Sequence, residues 1–351
     1  MDKKIVFTGG GTLGHVMPNM YLIEDLGDNV EKFYIGSTGI EKGIVEKKIK
    51  YYTIPSVKLV RGKIFSNLKI PFVLIDAIIK AKKILKDINP DLVFSKGGYV
   101  SLPVVVAAKM LKIPIIAHES DYSFGLANKI ILKLCDKMCV NFKNLESINK
   151  KIIYTGPIFS KSFENKRKIK FGLNLDENKP TCLIVGGSLG SKKINEVVFP
   201  CIKDLLYYFN IIHITGKGNL KIKSYNNYNA FEIRDDMSNL YNIADFVLGR
   251  SGAGVTSECY FKKLPMLLIP LQNKATRGDQ LENAKYYERL GVAQIIKEAE
   301  LTPTKLLQEM INFKDKLAVI NKIYAEQDVK NGKDIVINLI EKANQPNKSL
   351  N

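Results

Sequence analysis

His15 is one of only three histidines in the chain, and it closes a glycine run, Gly9-Gly10-Gly11-Thr12-Leu13-Gly14. An imidazole titrates near neutrality, so at the mouth of a loop it can take a proton from a hydroxyl; capping the following helix is the plainer role. The run follows a short apolar strand, Lys4-Ile5-Val6-Phe7. A strand that turns through glycines into a helix aims backbone N–H groups and the positive helix end at an anion. The device returns half a chain later, where Cys182-Leu183-Ile184-Val185 runs into Gly186-Gly187-Ser188-Leu189-Gly190-Ser191. Two such units facing across a cleft suit a phosphorylated donor and a second substrate.

Further runs carry groups of the same kind. Gly9-x-Gly11-x-x-Gly14 fits the dinucleotide fingerprint, but no acidic residue closes the second strand before Glu41, which argues against a nicotinamide or flavin. Lys96-Gly97-Gly98-Tyr99-Val100 follows one strand, and His118-Glu119-Ser120-Asp121 ends the next. Both fall at the carboxyl edge of an α/β sheet, where ligands bind. Glu119 and Asp121 read either as a catalytic carboxylate pair or as caps and support for His118. Arg250-Ser251-Gly252-Ala253-Gly254 opens a helix as a diphosphate site does, and Glu258, one turn inside, could accept both hydroxyls of a ribose. Asp279-Gln280 with Asn283 offers amides and a carboxylate to sugar hydroxyls.

The elements that position these groups alternate. Apolar strand-like runs at Lys4–Thr8, Lys32–Ile35, Tyr51–Ile54, Leu92–Ser95, Ile113–His118 and Lys137–Val140 form one series. Thr181–Val185, Ile211–Thr215, Ala230–Ile233, Asp245–Leu248 and Met266–Ile269 form another, with helical spacing between members of both series. The pattern predicts an α/β protein with two doubly wound parallel sheets. We expect an N-terminal domain over 1–160, a second domain over 161–331 and a C-terminal helix and tail over 332–351 that packs back on the first. The polar stretch Lys161–Pro180 reads as the linker. Fifty-three Lys and Arg against 35 Asp and Glu give a net charge of +18, which favours an anionic partner or reflects lysine-rich codon usage. Five cysteines without a C-x-x-C pair fit a reduced compartment. No signal peptide is expected, and no apolar run approaches the roughly 18 residues that span a bilayer.

Taken in order, these motifs resemble the MurG family. Gly10-Gly11-Thr12-Leu13-Gly14-His15 is similar to its GGTGGH, and Gly186-Gly187-Ser188-x-Gly190 to its GGSQGA. Gly97-Gly98-Tyr99, His118-Glu119, Gly125-Leu126-Ala127-Asn128, Arg250-Ser251-Gly252-Ala253 with Glu258, and Asp279-Gln280 with Asn283-Ala284 complete the series. The resemblance implies a GT-B fold and inverting transfer of N-acetylglucosamine from UDP to lipid I, giving lipid II for peptidoglycan.

It implies His15 and Glu119 as catalytic groups, with His15 the leading base. Thr12, Leu13, Gly14, Ser188, Ile233, Met237, Arg250, Gly252, Ala253, Glu258, Asp279, Gln280 and Asn283 would meet the donor, Glu258 at the ribose and backbone near Ile233 at the uracil. Gly98, Tyr99, Asp121 and Asn128 would meet the acceptor. Four departures stand out: Leu13 and Leu189 within the loops, His118-Glu119-Ser120-Asp121 where many members have HEQN, and Gly156-Pro157-Ile158-Phe159 where the family usually carries a donor-contacting arginine.

No metal or other cofactor is required by this chemistry. Ile64, Phe65, Leu68 and Phe72 among lysines read as a patch for the anionic cytoplasmic leaflet, or as an ordinary buried helix with a basic rim. Expected partners are UDP-N-acetylglucosamine, undecaprenyl-linked lipid I, anionic lipids and cell-wall synthesis proteins. Nucleic acid is disfavoured because the basic residues are dispersed. Another GT-B enzyme, a glycolipid synthase or UDP-sugar epimerase, and an inactive membrane scaffold are the alternative readings.

Overall fold

A computed structural model describes residues 3–57, 69–170, 172–187, 190–272 and 278–343. The chain divides into two compact units, Met1–Ser160 with Asn331–Asn351, and Lys161–Lys330.

In the first unit the chain runs β1 (Lys3–Thr8), α1 (Leu13–Asp25), β2 (Val30–Gly36), α2 (Ile40–Val45), β3 (Lys50–Thr53) and α3 (Ile70–Ile88). It continues through β4 (Leu92–Ser95), α4 (Ser101–Met110), β5 (Ile115–Glu119), α5 (Leu126–Leu134), β6 (Lys137–Val140) and β7 (Ile152–Tyr154). These strands form one parallel sheet in the order β3-β2-β1-β4-β5-β6-β7. The central strands β4 and β5 are buried along their whole length, as unbroken apolar runs covered by helices on both faces must be. The order reverses direction between β1 and β4, which places the loops after those two strands side by side.

The second unit opens with the stretch expected to be a linker, which instead is strapped down. Phe163 is buried with its ring 6.3 Å from that of Tyr241, and Asn242 Nδ2 donates to the carbonyls of Asn165 and Arg167. Its sheet elements are β8 (Thr181–Val185), β9 (Asn210–Ile214), β10 (Tyr228–Phe231), β11 (Phe246–Gly249), β12 (Met266–Leu268) and β13 (Ala293–Ile295). The intervening and following helices are α6 (Lys192–Tyr208), α7 (Met237–Ile243), α8 (Ala253–Phe261), α9 (Asp279–Arg289), α10 (Pro303–Lys314) and α11 (Leu317–Ala325). All six strands are parallel in the order β10-β9-β8-β11-β12-β13, with the reversal between β8 and β11.

The last helix, α12 (Lys333–Lys342), belongs to the first unit. Its Val336 and Ile340 enter the core cluster built on Ile5, Val16, Leu22 and Leu92. Asn331 anchors its entry by accepting from the Phe159 N–H at 3.1 Å and donating to the Phe159 carbonyl at 3.2 Å.

Candidate active site

In the first unit the side-by-side loops bring His15 against the Lys96–Val100 turn. His15 Nδ1 lies 3.1 Å from the Gly10 carbonyl and 3.2 Å from Thr12 Oγ1. A carbonyl can only accept, so Nδ1 carries the proton and the lone pair of the neutral ring falls on Nε2. That tautomer is the one a general base needs. A Cβ on Gly98 would come within 3.1 Å of His15 Nδ1, and Gly98 has φ +81°, so both space and backbone call for glycine. Thr12, Leu13, Gly14, His15, Gly98 and Tyr99 thus share one edge, with Thr12 and Gly14 exposed and Leu13 half-buried. Thr12 holds the N-cap of α1 with extended backbone but without a capping bond from its side chain.

Behind this edge lies a buried polar cluster at the end of β5. Glu119, expected among the catalytic groups, is a framework residue instead. Its Oε1 accepts from Ser120 N and Asp121 N, and its Oε2 from Gly125 N and Asn128 Nδ2, at 2.8–3.2 Å. A buried carboxylate that already accepts four hydrogen bonds is a poor proton carrier; it shapes the loop that carries Asp121 and the N-terminus of α5. Asn128 is buried and bound to it, so the acceptor role expected of its side chain narrows to its Oδ1. Asp121 is half-buried on the same loop.

Lys96, which sequence reasoning passed over for the glycines beside it, is buried and donates to Ser120 Oγ at 2.6 Å. Burial pulls its pKa down to about 8 although Glu119 and Asp121 oppose the shift. His118 is buried too, and burial together with Lys96 holds its ring well below the usual imidazole range, so it stays neutral.

In the second unit the glycine loop after β8 is flanked by the Arg250 loop after β11. Ser188 and Leu189 lie outside the described residues. Gly190 has φ +75° and backs on the Thr215 carbonyl, where no side chain fits. Arg250, expected to meet the donor, is committed elsewhere. Its guanidinium pairs with both oxygens of Glu298 at 3.0 and 3.1 Å, and donates to the Ile269 carbonyl and Ser191 Oγ. It is a buried brace that locks the glycine loop to β11 and β12. Its partner is 48 residues away, which is why the sequence alone suggested a phosphate ligand.

Gly252 and Ala253 begin α8, which has no acidic residue in its first turn and no side-chain cap; a Cβ on Gly252 would meet nothing within 4 Å. That helix end is open to an anion. Glu258 is half-buried and accepts from Tyr241 Oη at 2.8 Å. Burial raises its carboxyl pKa to about 7, with the Tyr241 bond pulling the other way. Ile233 is 58% exposed in the turn before Met237, the first residue of α7. The Arg234–Asp236 ion pair, with both hydrogen bonds at 2.7 Å, sets that turn in advance. On α9, Asp279 is the first residue, Gln280 Oε1 accepts from Leu271 N, and buried Asn283 donates to the Ser251 carbonyl. Gln280 and Asn283 therefore fasten α9 to its neighbouring loops.

Of the patch residues, Ile64, Phe65 and Leu68 lie outside the described residues. Phe72 is 75% exposed and continues as a stripe through Ile75 and Ile79, because α3 buries only Ala77, Ala81, Leu85 and Ile88.

Residues 5–140 match the glycosyltransferase family 28 N-terminal domain and residues 181–336 match the family's C-terminal domain. The UDP-N-acetylglucosamine–N-acetylmuramyl-(pentapeptide) pyrophosphoryl-undecaprenol N-acetylglucosamine transferase of Clostridium kluyveri is 44% identical over 97% of this chain and 99% of its own length. Its namesake from Clostridium tetani is 42% identical over 97% and 98%. Among solved structures, Acinetobacter baumannii MurG superposes with a TM-score of 0.77 at 24% identity, covering 97% of this chain and 99% of its own. S. aureus MnaA in complex with UDP shares the fold, with a TM-score of 0.67 at 15% identity over 97% and 96%. Two Rossmann-like units, a glycine loop and helix start at each sheet reversal, and similarity along nearly the whole length lead to one assignment: the chain is a glycosyltransferase of family 28 and belongs to its MurG group.

Proposed function

We propose that this enzyme moves N-acetylglucosamine from UDP-N-acetylglucosamine to the 4-hydroxyl of the muramyl sugar of lipid I, giving lipid II for peptidoglycan. The similarity to transferases bearing that name over 97% of the chain carries the reading. The second unit takes the donor: the start of α8 and the glycine loop face the diphosphate, Glu258 accepts the ribose hydroxyls, and backbone near Ile233 meets the uracil. Met237, Asp279 and Gln280 border the same site. The first unit supplies His15 as base, with Gly98, Tyr99, Asp121 and Asn128 toward the acceptor.

Nε2 of His15 takes the proton from the acceptor hydroxyl while its oxygen bonds the anomeric carbon. The bond to UDP breaks with its electron pair leaving on the diphosphate, and the carbon inverts. Helix and loop N–H groups stabilise that charge, so the reading calls for no metal. No described helix is long and apolar enough to cross a membrane. The Phe72, Ile75 and Ile79 stripe, with Lys69, Lys80 and Lys83 exposed beside it, docks the enzyme peripherally on anionic lipid at the cytoplasmic face, near other cell-wall synthesis proteins.

The test is UDP release from UDP-N-acetylglucosamine with and without a lipid I analogue. Release should require the analogue, and His15→Ala should lower kcat by about 10²–10⁴-fold. Acceptor-independent release, or near-parental turnover by His15→Ala, sinks the reading.

A further inference from the structure

The first glycine loop already holds an anion, and that anion is part of the protein. Glu41, in the first turn of α2, is fully buried. Its Oε2 accepts from the Gly11 N–H at 3.2 Å; its Oε1 accepts from the Ser37 N–H at 3.0 Å and from Ser37 Oγ in a short hydrogen bond. A side chain on Gly10 would run into this carboxylate.

Around it, further bonds fasten the entry to the loop and the neighbouring Ser37 turn. Tyr34 Oη donates to the Gly9 carbonyl at 2.9 Å, Asn19 Nδ2 donates to the Thr8 carbonyl and to Tyr34 Oη, and Tyr51 Oη donates to the Ser37 carbonyl at 2.6 Å. The Tyr34 and Tyr51 rings stack at 5.6 Å. Gly10 is the pivot: its carbonyl is the acceptor that fixes the His15 tautomer, and it is flanked by Gly11, whose N–H Glu41 holds.

We propose that Glu41 is a positioning residue for transfer, an internal carboxylate that takes the Gly11 amide in place of a substrate phosphate and so fixes the Gly10 carbonyl that orients His15. The inference rests on His15 being the base. It assigns the two glycine loops different work. The second is braced by a guanidinium through Ser191, which also caps α6, and leaves anion binding to the uncapped start of α8 beside it. The first is neutralised from within and presents a base. Glu41 was weighed in the sequence only as a missing ribose ligand, because its partner Gly11 lies 30 residues upstream.

The experiment compares Glu41→Gln, His15→Ala and the double variant. Glutamine keeps the volume, but its amide has one acceptor end. Whichever way it turns, either the Gly11 or the Ser37 N–H loses its partner. The expected result is a kcat at least 10-fold lower, KM for UDP-N-acetylglucosamine within about threefold, and unchanged UDP affinity, since UDP is read by the other unit. The loss should vanish in the His15→Ala background, because a residue acting through His15 has nothing left to orient. A purely architectural role would give the same loss in both backgrounds, and that result overturns the proposal. So does Glu41→Gln turnover within twofold of the parent while His15→Ala is impaired. Near-parental His15→Ala would instead remove the base assignment on which the inference stands. If Glu41→Gln does not fold, Glu41→Asp, which keeps the charge one methylene short, enters the same comparison with the same criteria.

Discussion

Glu258→Gln should stabilise the second unit and weaken donor binding at once, each with its own pH signature. Burial raises the Glu258 carboxyl from 4.5 to about 7, so between those values the folded chain keeps a proton that the unfolded chain has released. Stability from this group is therefore fully present at low pH and lost as pH climbs toward 7 and above. A shift of that size corresponds to roughly 3 kcal/mol at 1.36 kcal/mol per unit, and partial exposure trims the expectation to about 1–3 kcal/mol. Glutamine still accepts from Tyr241 but never ionises. Its melting temperature should match the parent near pH 4.5 and exceed it by about 3–10 °C at pH 8.5.

UDP affinity should move oppositely. The ionised carboxylate is the better acceptor for two ribose hydroxyls, so parental affinity should fall as pH drops below about 7. The glutamine variant should bind about 10–100-fold more weakly above pH 8, with little pH dependence. Calorimetric melting and UDP titration from pH 5 to 8.5 measure both. A melting gap that stays constant with pH would refute the burial argument; parental affinity that is flat across the range would refute the ribose assignment.

Two further outcomes follow from features outside the donor site. Lys333 is 1% exposed and pairs with Asp25, so Asp25→Ala leaves a buried ammonium uncompensated; thermal unfolding should register a loss of about 3–5 kcal/mol, with UDP affinity unchanged. Phe72→Glu combined with Ile79→Glu should reduce partitioning onto vesicles containing anionic phospholipid by at least 10-fold, without altering turnover on a soluble acceptor analogue. Equal partitioning would place the membrane contact elsewhere.

How far the sequence could be read depended on the distance over which each signal acts. Leu92–Ser95, Lys137–Val140 and Thr181–Val185 were legible residue for residue, since burial on both faces leaves an apolar run cut off by turns. β7 and β13 escaped notice because edge strands of three residues carry almost no pattern. β10 begins at Tyr228, earlier than its apolar residues suggest, because Asn229 trades two hydrogen bonds with Asn174 and so tolerates burial. The site divides the same way. Loop positions and His15 could be found locally from glycine spacing. What Arg250 and Glu41 do could not, because Glu298 and Gly11 come close only through the sheet crossovers; Glu119 is held by the turn just after it, whose conformation residue types alone do not give.

The return of the chain to its first unit has a consequence for biogenesis. The helix that supplies Val336 and Ile340 is translated only after all of Lys161–Lys330. On the ribosome the amino-terminal lobe must therefore wait, with an apolar seam uncovered, while its neighbour can already close. Completion of that lobe becomes a late event that follows synthesis of the whole second unit, and a chaperone that shields the seam would have its window there.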